Sequence, residues 1–278
     1  MPDDPKVPWG KFQIANTYFF LHVFDAAVDY YRDLIETYPT YKYLDVAQSR
    51  LALSYLKSNQ YERAELEYKR LIEQYPDSAL IRNAYFKMAE IHYRRKDYRK
   101  SINAYRDYLQ RYPHTPKRVE VNFRVAKLYK YLKNYDQAVQ YFKKSIGKYP
   151  SDTYNELATF EIAECYMLVK QFENAREFFK KVIDKYPKHE LAQIAYHRIG
   201  DTYLKEGKEE EAIEVYEKAL TSFPDVNASK LSEIKLADLY FQRGNYDQAI
   251  SLFSDVLVKD PNYYANDRIV FRIAQSHY

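Results

Sequence analysis

The sequence predicts an all-α solenoid of tandem helical hairpins, and three observations support that fold class. First, seven prolines recur at a fixed spacing of 37 residues, and an unbroken period of this length is typical of a stacked repeat array. Second, five of these prolines follow a tyrosine and a sixth follows a phenylalanine, so the junction itself is repeated. Third, the 278 residues include only five glycines, which favours long helices over sheets. The seven junction prolines are Pro39, Pro76, Pro113, Pro150, Pro187, Pro224 and Pro261.

One repeat, taken between Pro76 and Pro113, contains two stretches with apolar residues at helical spacing. The first covers residues 83–93 and the second covers 98–109, with a charged stretch between them. The second must end near Tyr112, because proline disfavours a helical conformation in the residue before it and cannot continue the hydrogen-bond pattern. Each repeat is therefore predicted to be a hairpin of two helices, called helix A and helix B.

Three positions of the hairpin hold the same kind of residue in every repeat, which indicates a shared core. Small residues 24 positions before each proline predict a close approach on helix A, and small residues 12 positions before it predict the same on helix B. An aromatic residue stands eight positions before each proline. The helix-A set is Ala15, Ala52, Ala89, Ala126, Ala163, Gly200 and Ala237. The helix-B sets are Ala27, Ala64, Ser101, Ala138, Ala175, Ala212 and Ala249, and Tyr31, Tyr68, Tyr105, Phe142, Phe179, Tyr216 and Phe253.

This pattern resembles the tetratricopeptide repeat (TPR), with its small residue and tyrosine on helix A and its alanine, aromatic and proline on helix B. The resemblance implies a right-handed α-solenoid of seven repeats plus a truncated eighth, forming one domain over residues 8–278 after a tail of residues 1–7. Two features depart from the family pattern. The period is 37 rather than 34 residues, and an aromatic expected four residues before the small helix-A position is mostly missing. Long repeats with junctions such as Tyr75-Pro76-Asp77-Ser78 are similar to those of bacterial envelope proteins, namely the outer-membrane assembly lipoprotein and the Tol–Pal-associated periplasmic coordinator.

The pattern restarts after Pro261 and stops at Tyr278, inside helix A of an eighth repeat. We therefore expect the sequence to be a fragment of a longer protein. The apolar residues Ile269, Val270, Phe271 and Ile273 would then lack their next repeat, and this edge could support self-association.

Residues with catalytic or metal-binding potential do not form a recognisable constellation, so we predict no enzymatic activity and no cofactor. The six histidines have no ligand spacing, and His92 and His277 replace a tyrosine of other repeats, which favours a packing role. The single cysteine, Cys165, is interpreted as a small packing residue, because a reactive thiol needs exposure and a nearby base. Gly207 and Gly244 are predicted to be turn residues between helix A and helix B. No stretch is long and apolar enough for a membrane span.

Charge is distributed unevenly along the chain. Residues 81–148 contain 18 Lys+Arg against 5 Asp+Glu, whereas residues 1–80 contain 9 against 12 and residues 151–259 contain 14 against 20. The third and fourth repeats are therefore a basic block between acidic neighbours.

The resemblance implies that helix A lines the concave, partner-binding face, and it places phenylalanines and the basic block there. The phenylalanines could equally be packing between repeats, and the charges could simply solvate the surface. Chaperone-binding members carry a carboxylate clamp of Lys and Asn, and the first of its positions holds Phe12, Ser49, Phe86, Phe123 and Phe160 here, which disfavours a chaperone tail as the partner. The predicted partner-binding residues are Phe12, Phe86, Lys87, Tyr93, Arg94, Phe123, Arg124, Lys127, Lys130, Tyr131 and Phe160.

Two functions follow from these features. The first is a protein–protein interaction scaffold that binds an extended or helical, acidic and apolar segment of a partner. The alternative is nucleic-acid or anionic-surface binding through the third and fourth repeats, where tyrosines alternate with lysines and arginines. The acidic flanking repeats weigh against the alternative. The resemblance favours the bacterial periplasm or cell envelope, with the cytoplasm as the other location.

Overall fold

The computed structural model describes residues 6–147, 154–187, 190–223, 229–260 and 266–276. Throughout these ranges the only regular element is the α-helix, and fifteen helices follow one another without a strand. This confirms the all-α class and the tandem hairpins. The chain divides into two compact units, Met1–Val121 and Asn122–Tyr278.

Helix A and helix B alternate through the described part of the chain. The N-terminal unit contains α1 (Lys6–Phe20), α2 (Phe24–Thr37), α3 (Leu44–Lys57), α4 (Tyr61–Gln74), α5 (Ile81–Arg94) and α6 (Tyr98–Arg111). Helix α7 (Arg118–Tyr131) begins just before the unit boundary. The C-terminal unit continues with α8 (Tyr135–Ser145), α9 (Asn155–Leu168), α10 (Phe172–Lys185), α11 (Glu190–Lys205), α12 (Glu209–Ser222), α13 (Ser229–Gln242), α14 (Tyr246–Lys259) and α15 (Asn266–Ser276).

The helix boundaries agree with the sequence patterns at most points. Helices α5 and α6 contain both predicted stretches of the repeat that ends at Pro113. Helix α1 begins at Lys6, inside the region expected to be a tail. Helix B ends one residue before the junction aromatic at Tyr38, Tyr75, Tyr112, Tyr186 and Phe223. Pro150, Pro224 and Pro261 lie outside the described residues.

The turn between helix A and helix B has the same backbone geometry in all seven hairpins. One residue, 17 positions before the junction proline, adopts a left-handed conformation. In the third repeat the Lys96 N–H donates to the Tyr93 carbonyl and the Asp97 N–H donates to the His92 carbonyl, each at 2.9 Å, which is a Schellman motif. Gly207 and Gly244 occupy this position, which confirms them as turn residues. The full set, with φ between 58° and 78°, is His22, Asn59, Lys96, Lys133, Lys170, Gly207 and Gly244.

The predicted small and aromatic positions form the core of each hairpin. All seven aromatics on helix B are at most 1% exposed, and the small residues on both helices are buried beside them. The sixth repeat is the tightest, because a Cβ added at Gly200 would lie 2.3 Å from Cε1 of Tyr216. Glycine is therefore required where the other repeats accept alanine.

Buried polar side chains replace the missing helix-A aromatic and join the two helices of a hairpin. Gln48 is 1% exposed and its Nε2 donates to Glu67 Oε2 at 2.5 Å. Asn122 is 3% exposed and its Nδ2 donates to the Lys144 carbonyl at 3.2 Å. Because a buried polar group is costly unless it is hydrogen-bonded, these contacts account for polar residues in a core position.

Candidate functional site

The residues 30, 26, 23 and 19 positions before each junction proline define one face of helix A, named here the helix-A surface. In the C-terminal unit, side chains on this surface bridge successive repeats. Nζ of Lys127 on α7 donates to Oε1 of Glu161 on α9 at 3.0 Å. Oε1 of Glu164 on α9 lies 3.1 Å from Nε of Arg198 on α11. Since α9 packs against α11 and α11 against α13, the surface is continuous across neighbouring repeats of this unit.

These bridges join residues 34 positions apart, which is one period minus three. A third example in the C-terminal unit is Asp238, whose Oδ1 lies 3.5 Å from Nε of Arg272. In the N-terminal unit, Arg50 donates to Asn16 at the same separation. Sequence reasoning missed this network, although complementary residues at i and i+34 were a signal that could have revealed it.

The bridge at Glu161 has the opposite polarity to its neighbours, because the base precedes the acid along the chain. Glu161 also accepts from Lys130 at 2.5 Å, so two ammonium groups share one carboxylate. Burial alone raises the pKa of Glu161, but its bonds to Lys130 and Lys127 outweigh burial and lower it. Burial alone lowers the pKa of Lys130, and the Glu161 carboxylate outweighs it and raises that pKa. Glu161 and Lys130 are therefore held in their charged forms.

Two cations predicted as partner contacts in the third repeat are likewise paired within the chain. Nζ of Lys87 lies 2.8 Å from Oε2 of Glu90, and Nη2 of Arg94 lies 3.2 Å from Oε1 of the same residue. Burial alone raises the Glu90 pKa, yet the two cations leave it lowered. Four of the eighteen cations of the basic block, Lys87, Arg94, Lys127 and Lys130, are therefore paired with two intramolecular carboxylates.

The predicted phenylalanines contact the aromatic core of their own hairpins. Phe12 and Phe86 are only 8% and 3% exposed, and Phe86 meets Tyr105 edge-on with ring centroids 5.7 Å apart. Phe123 and Phe160 are half-buried. Their ring centroids lie 5.4 Å from those of the helix-B phenylalanines of the same repeats, Phe142 and Phe179 respectively. Packing accounts for Phe12 and Phe86, which offer little ring surface to a partner.

Three further predicted contact residues retain some exposure. Tyr93 is 39% exposed and lies 6.2 Å from Tyr98, centroid to centroid. Tyr131 is 54% exposed, and Arg124 is half-buried.

A row of aliphatic side chains runs beside the ion pairs in the C-terminal unit. It consists of Leu157 on α9, Ile194 on α11 and Leu231 on α13, each 30 positions before its junction proline. Leu157 is 40% exposed, Leu231 is 48% exposed, and Ile194 is half-buried. This apolar row was not among the predicted site residues. Its spacing of 37 residues was visible in the sequence, but its exposure was not.

Reactive side chains in the described residues are placed for packing. Cys165 is fully buried, and burial raises the pKa of its thiol to about 12, which leaves little thiolate near neutral pH. His92 is half-buried, and burial lowers its pKa, whereas His277 lies outside the described residues. Among the described residues no group of His, Cys, Asp and Glu could hold a metal ion. Within the same ranges no helix has both the length and the apolar character needed to cross a membrane.

Tetratricopeptide-repeat family models match residues 11–41, 49–116, 86–153, 155–225 and 203–266. The chain therefore belongs to the tetratricopeptide-repeat family. Proteins of this family are generally protein-interaction scaffolds, and the repeat fold is typically non-enzymatic. No curated protein sequence matches the chain significantly.

Several solved structures share the fold. The C-terminal part of a TPR repeat-containing protein from Cytophaga hutchinsonii is 17% identical, with a TM-score of 0.70 over 93% of this chain and 98% of that one. A tetratricopeptide repeat protein from Parabacteroides merdae is 15% identical, with a TM-score of 0.56 over 98% and 100%. A signal transduction ATPase with a tetratricopeptide repeat sensor from Pyrococcus horikoshii is 19% identical, with a TM-score of 0.58 over 96% of this chain and 44% of that protein.

Proposed function

We propose that the chain is a scaffold that binds a segment of a partner protein along the helix-A surface of its C-terminal unit. The observation that carries this proposal is the exposed apolar row Leu157, Ile194 and Leu231 beside a line of paired charges. Exposed aliphatic side chains in a regular row are typical of binding surfaces. Paired charges beside them add polar complementarity while keeping the net charge of the surface low.

The distance between successive side chains of the apolar row determines how far apart the apolar residues of a partner segment must be. Axes of packed helices are about 8–10 Å apart, so successive side chains of the row are separated by a similar distance. A partner helix with apolar residues seven apart advances about 10.5 Å between them, and an extended polyproline-II segment advances about 9 Å in one three-residue turn, which returns its side chains to the same face. Either segment can place one apolar side chain against each repeat.

A capture experiment tests the proposal. The partner retained by the purified chain is compared between wild type and the double variant Leu157→Asp, Leu231→Asp. The control is Leu66→Asp on α4, an equally exposed leucine at 48% outside the helix-A surface. We expect the double variant to lose the partner and the control to keep it, with circular dichroism unchanged in both. Equal capture by the double variant and wild type would contradict the proposal.

The basic residues have a secondary role in this proposal. Within the C-terminal unit, Tyr131 extends the contact surface, whereas Lys127 and Lys130 contribute through association rate and salt dependence. Tyr93 and Arg94 belong to the N-terminal unit and are proposed as partner contacts of that unit by itself. Charge reversal of the two lysines should weaken capture less than the leucine substitutions do, because Glu161 already neutralises part of their charge. Nucleic-acid binding is the competing outcome, and a mobility shift with a single-stranded oligonucleotide distinguishes it.

The proposed location is the bacterial envelope. It rests on the resemblance in period and junction to envelope TPR proteins. Fractionation of the source cells with an antibody against this chain tests it, and recovery in the cytoplasmic fraction would contradict it.

Self-association through Val270 and Phe271, which are 53% and 61% exposed on α15, is a separate proposal. A mass that rises with concentration in light scattering would support it, and a constant monomer mass would contradict it.

A further inference from the structure

A cleft of about 580 Å³ opens on the helix-A surface of the C-terminal unit, between the carboxyl-terminal ends of α9 and α11. Its lining includes Glu164 and Leu168 from α9 and Arg198 and Lys205 from α11. Leu168 is on the same helix as Leu157, so the cleft continues the surface that carries the apolar row. The turn after α9 contributes Lys170.

The cleft carries uncompensated positive charge. Arg198 is paired with Glu164 at 3.1 Å and with Asp201 at 3.3 Å, and the ammonium groups of Lys170 and Lys205 lie on the exposed edge. Glu206, the acid next to Lys205, is already bonded to Arg176 at 2.7 Å. The charged groups that line the cleft sum to about +2 near neutral pH, and the Asp201 carboxylate beside Arg198 lowers the local charge to about +1.

The interior of the cleft is apolar. Met167, Leu168 and Phe172 line it, and Leu168 is 51% exposed. An aliphatic or aromatic side chain gains by covering this surface, whereas a bare phosphate or sugar would not. The combination favours a ligand that has an apolar side chain with a carboxylate next to it.

We infer that this cleft is the specificity pocket of the scaffold and takes an aspartate or glutamate flanked by an aliphatic residue of the partner protein. The apolar side chain covers Met167 and Leu168, and the carboxylate pairs with Lys170 and Lys205. The inference rests on the proposed function. It places the acid-recognising residues in the fifth and sixth repeats, where the overall charge is acidic, and not in the basic third and fourth.

The methionines provide a direct test, because Met1, Met88 and Met167 are the only three in the chain. The full chain, labelled with ¹³C at its methionine methyl groups, is titrated with a capped tetrapeptide of alternating leucine and glutamate. The glutamine counterpart serves as the neutral probe. We expect a saturable shift of the Met167 methyl signal with the glutamate peptide, no shift of Met88, and about tenfold weaker binding of the glutamine peptide.

The variant Lys170→Asn, Lys205→Gln removes both free charges, and asparagine tolerates the left-handed backbone at position 170. We expect about tenfold weaker binding of the glutamate peptide. The matched control is Lys180→Gln, Lys185→Gln on α10, which makes the same charge change at exposed positions outside the cleft and should leave binding within twofold. Equal binding of both peptides, no Met167 response, or equal losses in the two variants would overturn the inference.

The two proposals fail separately. If partner capture depends on Leu157 and Leu231 but Met167 does not respond to the peptide, the pocket is wrong and the scaffold surface stands. If the Met167 signal responds to the peptide but partner capture is unchanged by the substitutions at Leu157 and Leu231, the pocket is supported and the apolar row is not the binding surface.

Discussion

Removal of the Glu161 carboxylate should destabilise the C-terminal unit more than loss of an ordinary surface ion pair. The carboxylate side chain is only 15% exposed, and its partner Lys130 is 25% exposed. The substitution Glu161→Gln keeps the size of the side chain and removes its charge. Lys130 is then left partly desolvated without a counter-ion, while Lys127, at 39% exposure, can turn into solvent.

The exposed fractions of these side chains determine how much free energy of unfolding Glu161→Gln should remove. A hydrogen bond to a charged group contributes about 1.5–3 kcal/mol to stability. We assign most of this contribution to the bond between Glu161 and Lys130, because Lys130 is less exposed than Lys127. We expect Glu161→Gln to lower the free energy of unfolding by about 2 kcal/mol. For a body of this size that corresponds to a fall in Tm of about 4–8 °C. The matched control is Glu177→Gln on α10, whose partner Lys181 is 44% exposed, and this change should cost less than about 0.5 kcal/mol.

A charge swap separates the ion pair from nonspecific effects. Glu161→Arg places a third cation beside Lys127 and Lys130 and should cost more than Glu161→Gln. Adding Lys127→Glu gives this bridge the acid-then-base order of Glu164–Arg198 and should recover most of the loss. The assay is urea unfolding of the four members of the cycle by circular dichroism.

The pH dependence of the Glu161→Gln effect gives an independent check. The folded-state pKa of Glu161 is lowered, so its contribution is complete above the unfolded-state pKa of about 4.3 and is lost as pH falls through the folded value. Lys130 has a raised pKa, so its contribution is lost only above about pH 10.4. The difference between wild type and variant should be flat between these limits. A coupling energy below about 0.5 kcal/mol in the cycle, or equal costs for Glu161→Gln and the control, would refute the reasoning.

Three other substitutions test the hairpin itself. Gly200→Ala should destabilise by about 1–2 kcal/mol in urea unfolding, because overpacking against Tyr216 exceeds the gain in helix propensity, and Tyr216→Leu in the same chain should reduce that cost. Lys96→Gly should raise the free energy of unfolding by about 1 kcal/mol, since Lys96 has a φ of 63°; the same change at Lys100 in helix α6 should lower it instead. Burial lowers the pKa of His197, so wild type should lose stability as pH falls below about 6.5, and His197→Phe should show a smaller loss in Tm across pH 7 to 5.

The hairpins and their core could be predicted from the sequence because each is determined by local spacing. Proline cannot continue a helix, and helix B ends two residues before Pro39, Pro76, Pro113 and Pro187. A small residue opposite an aromatic favours close packing of the two helices of a hairpin. The positions of Tyr216 and Gly200 were assigned correctly on this basis. The turn residue Lys96 was harder to predict, because only Gly207 and Gly244 carry the usual signal for a left-handed backbone.

The candidate site was predictable only in part, because exposure depends on neighbouring repeats. Phe12 and Phe86 are of a residue type that is common in binding sites, yet their rings lie in the core of their own hairpins. Lys127 appeared free in a basic stretch, and its partner Glu161 stands 34 residues later in an acidic one. Charge counted within one stretch of the chain therefore misses carboxylates that come from a later repeat.

The sequence by itself determined a tandem array of helical hairpins, because a fixed period, a helix-ending proline and matched small and aromatic residues each act within one repeat. Only the tertiary structure decided which side chains remain available to a partner. Stacking brings residues 34 positions apart into contact, so it pairs cations such as Lys127 with a carboxylate and leaves Leu157, Leu231 and the lysines beside Leu168 exposed to solvent.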